Sequence, residues 1–268
     1  MEQIKTIAFV GAGNLAWHLA PALENAGHII KYVYSQNSEN ARTLVNRLYN
    51  AEVKEDLDFS DSNCDLIIIA VKDEAIEGVA TELIIGENTR VVHTSGTQPM
   101  SLLGYLATEQ IGVFYPLQTF SKSRNVEFEK IPICVEAQTP GLHEELMVMG
   151  KAISRKVWYV DTNDRKVLHL AAVFSCNFTN HLFLLAKELL ERRGMDFEIL
   201  HPLIIETVQK AIEIGPENAQ TGPAIRRDNE VIDFQKSYLS FDEGMAELYQ
   251  KLTDSILEHL PNPEKENP

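Results

Sequence analysis

The apolar run Thr6-Ile7-Ala8-Phe9-Val10 leads directly into Gly11-Ala12-Gly13-Asn14-Leu15-Ala16, a G-x-G-x-x-A turn. The first glycine of such a turn permits a tight strand-to-helix bend. The second lets a diphosphate approach the backbone, and the small third residue allows close helix–sheet packing. Helix-start N–H groups then face the anion. Leu15, Leu19 and Leu23 recur every four residues and stop near Gly27, and a second strand-like run follows at Ile29-Ile30-Lys31-Tyr32-Val33-Tyr34. Strand, turn, amphipathic helix and second strand are the context the motif requires, so the opening predicts a dinucleotide-binding unit.

The same alternation continues. Ser38 is placed to cap a helix carrying Ala41, Leu44, Val45 and Leu48 inward. Leu66-Ile67-Ile68-Ile69-Ala70-Val71 is apolar throughout, as a strand buried on both faces of a parallel sheet must be. A helical stretch follows through Ile76, Val79, Ala80 and Leu83, then strand-like runs at 90–93, 112–115, 131–135 and 157–160. This predicts an α/β doubly wound parallel sheet of the Rossmann type over residues 1–160. Beyond residue 161 the period becomes helical: 164–192 reads as one long helix, and Leu200, Ile204, Val208 and Ile212 repeat every four. Phe241, Met245, Leu248, Leu252 and Ile256 repeat at three or four. An all-α domain is therefore expected over 161–260, with a disordered polar tail at 261–268.

Charge excludes one class of partner. The net charge is −15, and protonating all eight histidines would leave −7, which opposes general nucleic-acid binding. No uninterrupted apolar run approaches the ~20 residues that cross a bilayer, so no membrane partner is expected. Met1–Lys5 lacks a signal-peptide pattern, and the expectation is a cytoplasmic protein. Cys64, Cys134 and Cys176 are too few and too scattered for a disulfide framework or a metal site.

The choice of dinucleotide is read at the end of the second strand. NAD is usually met there by a carboxylate on the ribose hydroxyls. This chain has Ser35-Gln36-Asn37-Ser38, with Arg42 one helical turn later, a pattern better suited to the 2′-phosphate of NADP. Doubly wound sheets bind ligands beyond the carboxyl ends of their strands. That places Ala70-Val71-Lys72 and His93-Thr94-Ser95-Gly96-Thr97 at the mouth, joined by Tyr115 if its strand runs parallel. His93 is a candidate proton relay, and Ser95 with Gly96 a candidate holder of a substrate carbonyl or carboxylate. Asn177, Asn180 and His181 share one face of the long helix, where Asn177 and His181 are candidate catalytic groups. Thr221 to Asp228, with Arg226 and Arg227, is either an anion clamp or a structural loop.

The glycine turn, His-x-Ser-Gly, Pro-Leu-Gln-Thr-Phe, Ser-x-Asn and Thr-Gly-Pro-x-x-Arg-x-Asp occur in that order. Together they resemble the bacterial Rossmann-like NADP oxidoreductases with an uncharacterised C-terminal helical domain. These are similar to pyrroline-5-carboxylate reductases, ketopantoate reductases and β-hydroxyacid dehydrogenases. The resemblance implies a nicotinamide in the interdomain cleft, a substrate site shared by both domains, and a homodimer formed through the helical domain; the leading expectation is an NADP-dependent reductase or dehydrogenase of a small, anionic metabolite. The resemblance also implies that Gly11, Ala12, Gly13, Asn14 and Leu15 hold the pyrophosphate and Ser35, Gln36 and Asn37 the adenosine ribose. Ser95, Gly96 and Asn177 fall at the substrate. Three departures stand out: Tyr115 where many relatives have histidine, Lys72 where proline is common, and Ala172-Val173-Phe174 where β-hydroxyacid dehydrogenases carry a catalytic lysine. A non-catalytic dinucleotide-binding sensor or scaffold is the alternative that Tyr115 and the missing lysine motivate, with a methyltransferase a more distant rival. NAD or a deazaflavin coenzyme stays open.

Overall fold

The computed structural model describes residues 5–259, and the expected tail at 261–268 lies outside them. In chain order the strands are β1 (Thr6–Val10), β2 (Ile29–Tyr34), β3 (Glu52–Lys54), β4 (Asp58–Phe59), β5 (Leu66–Ile69), β6 (Ile84–Ile85), β7 (Arg90–His93), β8 (Ile111–Pro116), β9 (Ile133–Ala137) and β10 (Val157–Tyr159). Helices α1 (Asn14–Asn25), α2 (Ser38–Val45), α3 (Ile76–Glu82) and α4 (Pro140–Ile153) accompany them.

Eight strands form one sheet in the order β10-β9-β8-β7-β5-β1-β2-β3, and β4 pairs with β6 apart from it. From β3 to β8 every pairing is parallel, and the order reverses between β1 and β5. Ligands of doubly wound sheets bind at such a reversal. Alternate residues of each central strand feed opposite faces. Ile7, Phe9 and Ile68 join Leu19, Leu23 and Phe114 in one core, whereas Ala8, Val10, Ile67 and Ile69 join Ile76 and Val91 in the other. Burial on both sides is why these strands read as continuous apolar runs.

The sheet departs from an all-parallel one at β9, which runs antiparallel to β8. The connection between them holds only one short 3-10 turn, Phe128–Lys130. A parallel return needs a crossover, usually helical, and without it the chain comes back antiparallel. β3, β4 and β6 escaped the sequence reading: β4 and β6 are two residues long, and β3, Glu52-Val53-Lys54, has a single apolar residue between two charged ones.

Helix α5 (Thr162–Ala172) passes through a π-helical turn, Val173–Phe178, into α6 (Thr179–Glu191). Then follow α7 (His201–Ile214), α8 (Pro216–Ala219), α9 (Asn229–Tyr238) and α10 (Glu243–Glu258). The chain divides into two compact units between Phe174 and Ser175, so α5 belongs with the sheet and not with the helices after it. Arg165 supplies the reason. Its side chain is completely buried, its guanidinium pairs with Glu136 of β9, and it donates to the carbonyls of Ser95 (3.1 Å) and Gln98 (2.5 Å).

By length and composition the run Thr162–Glu191 could cross a membrane, and none of its apolar window is buried. Two observations oppose that role. Arg165 commits the first turns of the run to the sheet, and Ser175, Asn177, Asn180 and His181 would place polar groups in hydrocarbon.

Candidate active site

Gly11 adopts φ +115°, and a Cβ there would strike the Ala70 carbonyl. Its N–H donates to the Tyr34 carbonyl at 2.7 Å, so the carboxyl ends of β1, β2 and β5 converge on this one residue. Gly13 differs: nothing lies within 4 Å of the space its Cβ would take. It occupies the N-cap of α1 with no side-chain cap bond and no acidic residue in the first turn. The opening N–H groups of α1 therefore remain for an external acceptor.

Beside this turn lies a cavity of about 580 Å³ lined by Gly11–Gly13, Ser35–Asn37 and Ala70–Lys72. These nine expected coenzyme residues are brought together, with Asn40, Glu74 and Glu82 added. Asn14 is exposed at the first position of α1, and Leu15 is half-buried against the core. Arg42 is exposed on α2 and does not line the cavity. The Asn37 side chain accepts from the Glu39 N–H at 3.0 Å, which makes it the N-cap of α2. The open second glycine, strained first glycine and uncapped helix start fit a dinucleotide diphosphate.

The next strands carry the site further along the same edge of the sheet. His93 pairs in register with Ile69 and with Val113, so the residue after β7 and Tyr115 of β8 lie at the same end as Gly11. Three strand spacings, about 14 Å, separate β1 from β8. His93 is completely buried, and its Nδ1 accepts the Ser95 N–H at 3.1 Å. The proton of the neutral ring then sits on Nε2, which makes no hydrogen bond at normal geometry and has the Pro99 carbonyl as its polar neighbour. Burial first, and the Arg165 charge second, lower the His93 pKa to about 4. Ser95 is spent on the turn itself. Its Oγ accepts from the N–H groups of Thr97 (3.1 Å) and Gln98 (3.0 Å), and its carbonyl takes Arg165. Thr97 is tied in turn to Asp73.

Gly96 lies under a pair the sequence reading did not assemble. A Cβ at Gly96 would fall 2.6 Å from His169 Nδ1 and 2.8 Å from Tyr115 Oη. Those two atoms are hydrogen-bonded to each other at 3.1 Å. Burial pushes the Tyr115 phenol up to about 12, helped by the nearby Cys134 and Asp73 and opposed by Arg165. The signal available in the sequence was spacing: Arg165 and His169 are four apart, hence on one face of α5.

In the second unit, Asn177 and His181 are both exposed. Asn177 lies in the π turn and His181 in α6. Insertions of this kind appear often at functional sites. The Thr221–Asp228 segment is a turn with Gly222 and Arg227 both at positive φ, and Asp228 accepts the Val231 N–H to cap α9. That accounts for the loop reading of this segment.

Residues 6–94 match a family profile described as NADP oxidoreductase, coenzyme F420-dependent, and residues 131–256 match a domain of unknown function, DUF2520. A solved structure from Bacteroides fragilis, assigned provisionally as an NADP oxidoreductase, is 41% identical with a TM-score of 0.85, covering 95% of this chain and 98% of that one. The chain belongs to this NADP oxidoreductase family. The oxidoreductase also shares its fold with a Thermotoga maritima protein, at 22% identity and a TM-score of 0.70, covering 94% of this chain and 97% of that one. A reductive aminase from Aspergillus terreus in complex with NADPH and ethyl levulinate gives 14% identity and a TM-score of 0.70, covering 96% and 95%. No curated protein matches the oxidoreductase.

Proposed function

We propose that this oxidoreductase is an NADP-dependent reductase or dehydrogenase of a small, anionic metabolite. The observation that carries the reading is the start of α1: a strained Gly11, an open Gly13 and helix N–H groups without a side-chain cap. In this reading the backbone of Gly11, Ala12, Gly13, Asn14 and Leu15 holds the diphosphate. Ser35, Gln36 and Asn37 meet the adenosine ribose, Arg42 reaches the 2′-phosphate, and Ala70, Val71 and Lys72 flank the coenzyme. When bound, the reduced coenzyme supplies a hydride.

The chain's own residues supply position and protons. Gly96 and Tyr115 face the substrate, and Ser95 shapes the turn beneath it. Lys72, exposed on the cavity rim, supports an anionic ligand in a chain otherwise strongly acidic. His93 was expected to relay a proton; being completely buried and neutral, it enters this reading as a positioning residue that holds the Ser95 amide. Asn177 is the acceptor-polarising group of the helical unit, with His181 one turn on. The exposed apolar faces of α6 and α7 support a homodimer through that unit, and three free cysteines suit a reducing cytoplasm.

Calorimetry with NADPH, NADH and a deazaflavin coenzyme tests the premise. NADPH is expected to bind at least about tenfold more tightly than NADH, with Arg42→Ala narrowing the gap, since an arginine–phosphate contact is worth on the order of 1.5–3 kcal/mol. No heat from any of the three overturns the assignment. A second arm uses Asn177→Ala, expected to lower turnover more than coenzyme affinity; unchanged turnover removes Asn177 from the chemistry.

A further inference from the structure

Tyr115 and His169 are joined by a 3.1 Å hydrogen bond directly over a turn that admits no side chain at Gly96. Both are half-buried, both lie in the unit that holds the glycine turn, and neither is consumed by an ion pair. The Ser95 hydroxyl is occupied by backbone N–H groups and the His93 ring is buried. Among the groups at this end of β7 and β8, the phenol and imidazole are therefore the ones free to exchange a proton with a ligand. Resting on the reductase reading above, we propose that Tyr115 and His169 are the proton-delivery pair of the reduction.

A bound reduced coenzyme would supply the hydride, and with it two electrons, for the C–H bond at the acceptor carbon. The π pair of the C=O or C=N bond moves to the heteroatom, which takes the Tyr115 Oη proton. His169 Nδ1, 3.1 Å from Oη, returns a proton to the phenolate while its Nε2 takes one up from water. A phenol alone would resist this step, because its buried anion is disfavoured. The hydrogen bond from the His169 ring stabilises that anion as it forms. Gly96 matters because any side chain there would separate the pair from the turn. The charged or titratable groups facing the phenol are Arg165 of α5, Cys134 of β9 and Asp73 after β5.

NADPH oxidation is followed with glyoxylate, pyruvate and Δ1-pyrroline-2-carboxylate as probes, beside NADPH affinity by fluorescence. Tyr115→Phe is expected to lower kcat at least about 100-fold, the lower range for loss of a general acid, with NADPH affinity within about twofold. His169→Gln keeps a hydrogen-bonding partner for the phenol but cannot titrate. It is expected to lower kcat and to erase one arm of the wild-type pH–rate profile. Nitrogen NMR of the His169 ring should shift in Tyr115→Phe. Wild-type kcat in Tyr115→Phe, an unaltered pH profile in His169→Gln, or an unmoved ring resonance each overturns the pair while leaving the reductase reading intact. A wild-type protein that binds NADPH yet oxidises it with none of the probes defeats the reductase reading instead, and the pair with it.

Discussion

At the residue scale, the two glycines of the opening turn do different work, and their alanine variants should separate it. Gly11→Ala places a side chain at φ +115° against the Ala70 carbonyl. Strain of this kind costs about 1–3 kcal/mol before the clash is counted. Both melting temperature and NADPH affinity should fall. Gly13→Ala meets nothing within 4 Å and should cost about 1 kcal/mol or less, as a weaker N-cap, while still weakening NADPH binding. Thermal melts alongside calorimetry check this, and equal stability losses in the two variants would refute the distinction. His93 gives a second residue-scale expectation. Its pKa is about 6.5 when unfolded and about 4 when folded, so below 6.5 the unfolded chain binds a proton that the folded chain refuses. Stability is thus fully present above about pH 6.5 and lost as pH falls toward 4, by about 3 kcal/mol in all. Denaturant titrations at pH 7 and pH 4.5 should differ in the wild type by more than in His93→Gln. The glycine turn was legible because backbone geometry dictates residue type there. The structural use of Ser95 was not, because a hydroxyl after a strand serves a turn and a ligand equally well.

At the element scale, the central strands were readable because two-sided burial writes an uninterrupted apolar run. The place of α5 was not readable. The long helical pattern gives no sign that its first turns belong with the sheet, because the tie is one arginine, a residue type expected at the surface. Arg165 is completely buried against Glu136, whose carboxylate also accepts from the Thr162 N–H and hydroxyl. Removing one partner of a buried pair costs about 3–5 kcal/mol, since the other is left charged and unpaired. Arg165→Met should therefore destabilise the chain by that order, and Arg165→Met with Glu136→Leu by less than the sum of the single changes. A double-mutant cycle by urea unfolding measures it; strict additivity would show that the pair does not couple. Arg165 also holds the Ser95 and Gln98 carbonyls, so hydrogen exchange across 95–98 should quicken in Arg165→Met. The π turn at Val173–Phe178 was likewise invisible, because one added residue per turn leaves an apolar helix looking apolar.

At the scale of the whole molecule, the two units differ in how they satisfy their apolar residues. The sheet unit encloses both of its cores, whereas α6 and α7 contain no buried residue at all. Ile205, Val208 and Ile212, on one side of α7, are 46–79% exposed. Apolar faces of this extent on soluble proteins mark an interface. The four-residue repeat that identified α7 in the sequence is thus a true helical signal, and its Val208 and Ile212 stay exposed among the described residues. A second copy of the helical unit would give such a face a closed, self-complementary partner. Light scattering after size exclusion should then give twice the chain mass. Val208→Asp with Ile212→Asp, which places two charges on one helical face, should give a monomer that still binds NADPH, because the glycine turn lies in the other unit. A wild-type monomer, or a variant that keeps the wild-type mass, would leave the apolar face to another occupant, a bilayer included. Partition of the wild-type chain into lipid vesicles would then identify a bilayer as that occupant, and a chain that stays in the aqueous phase would exclude it.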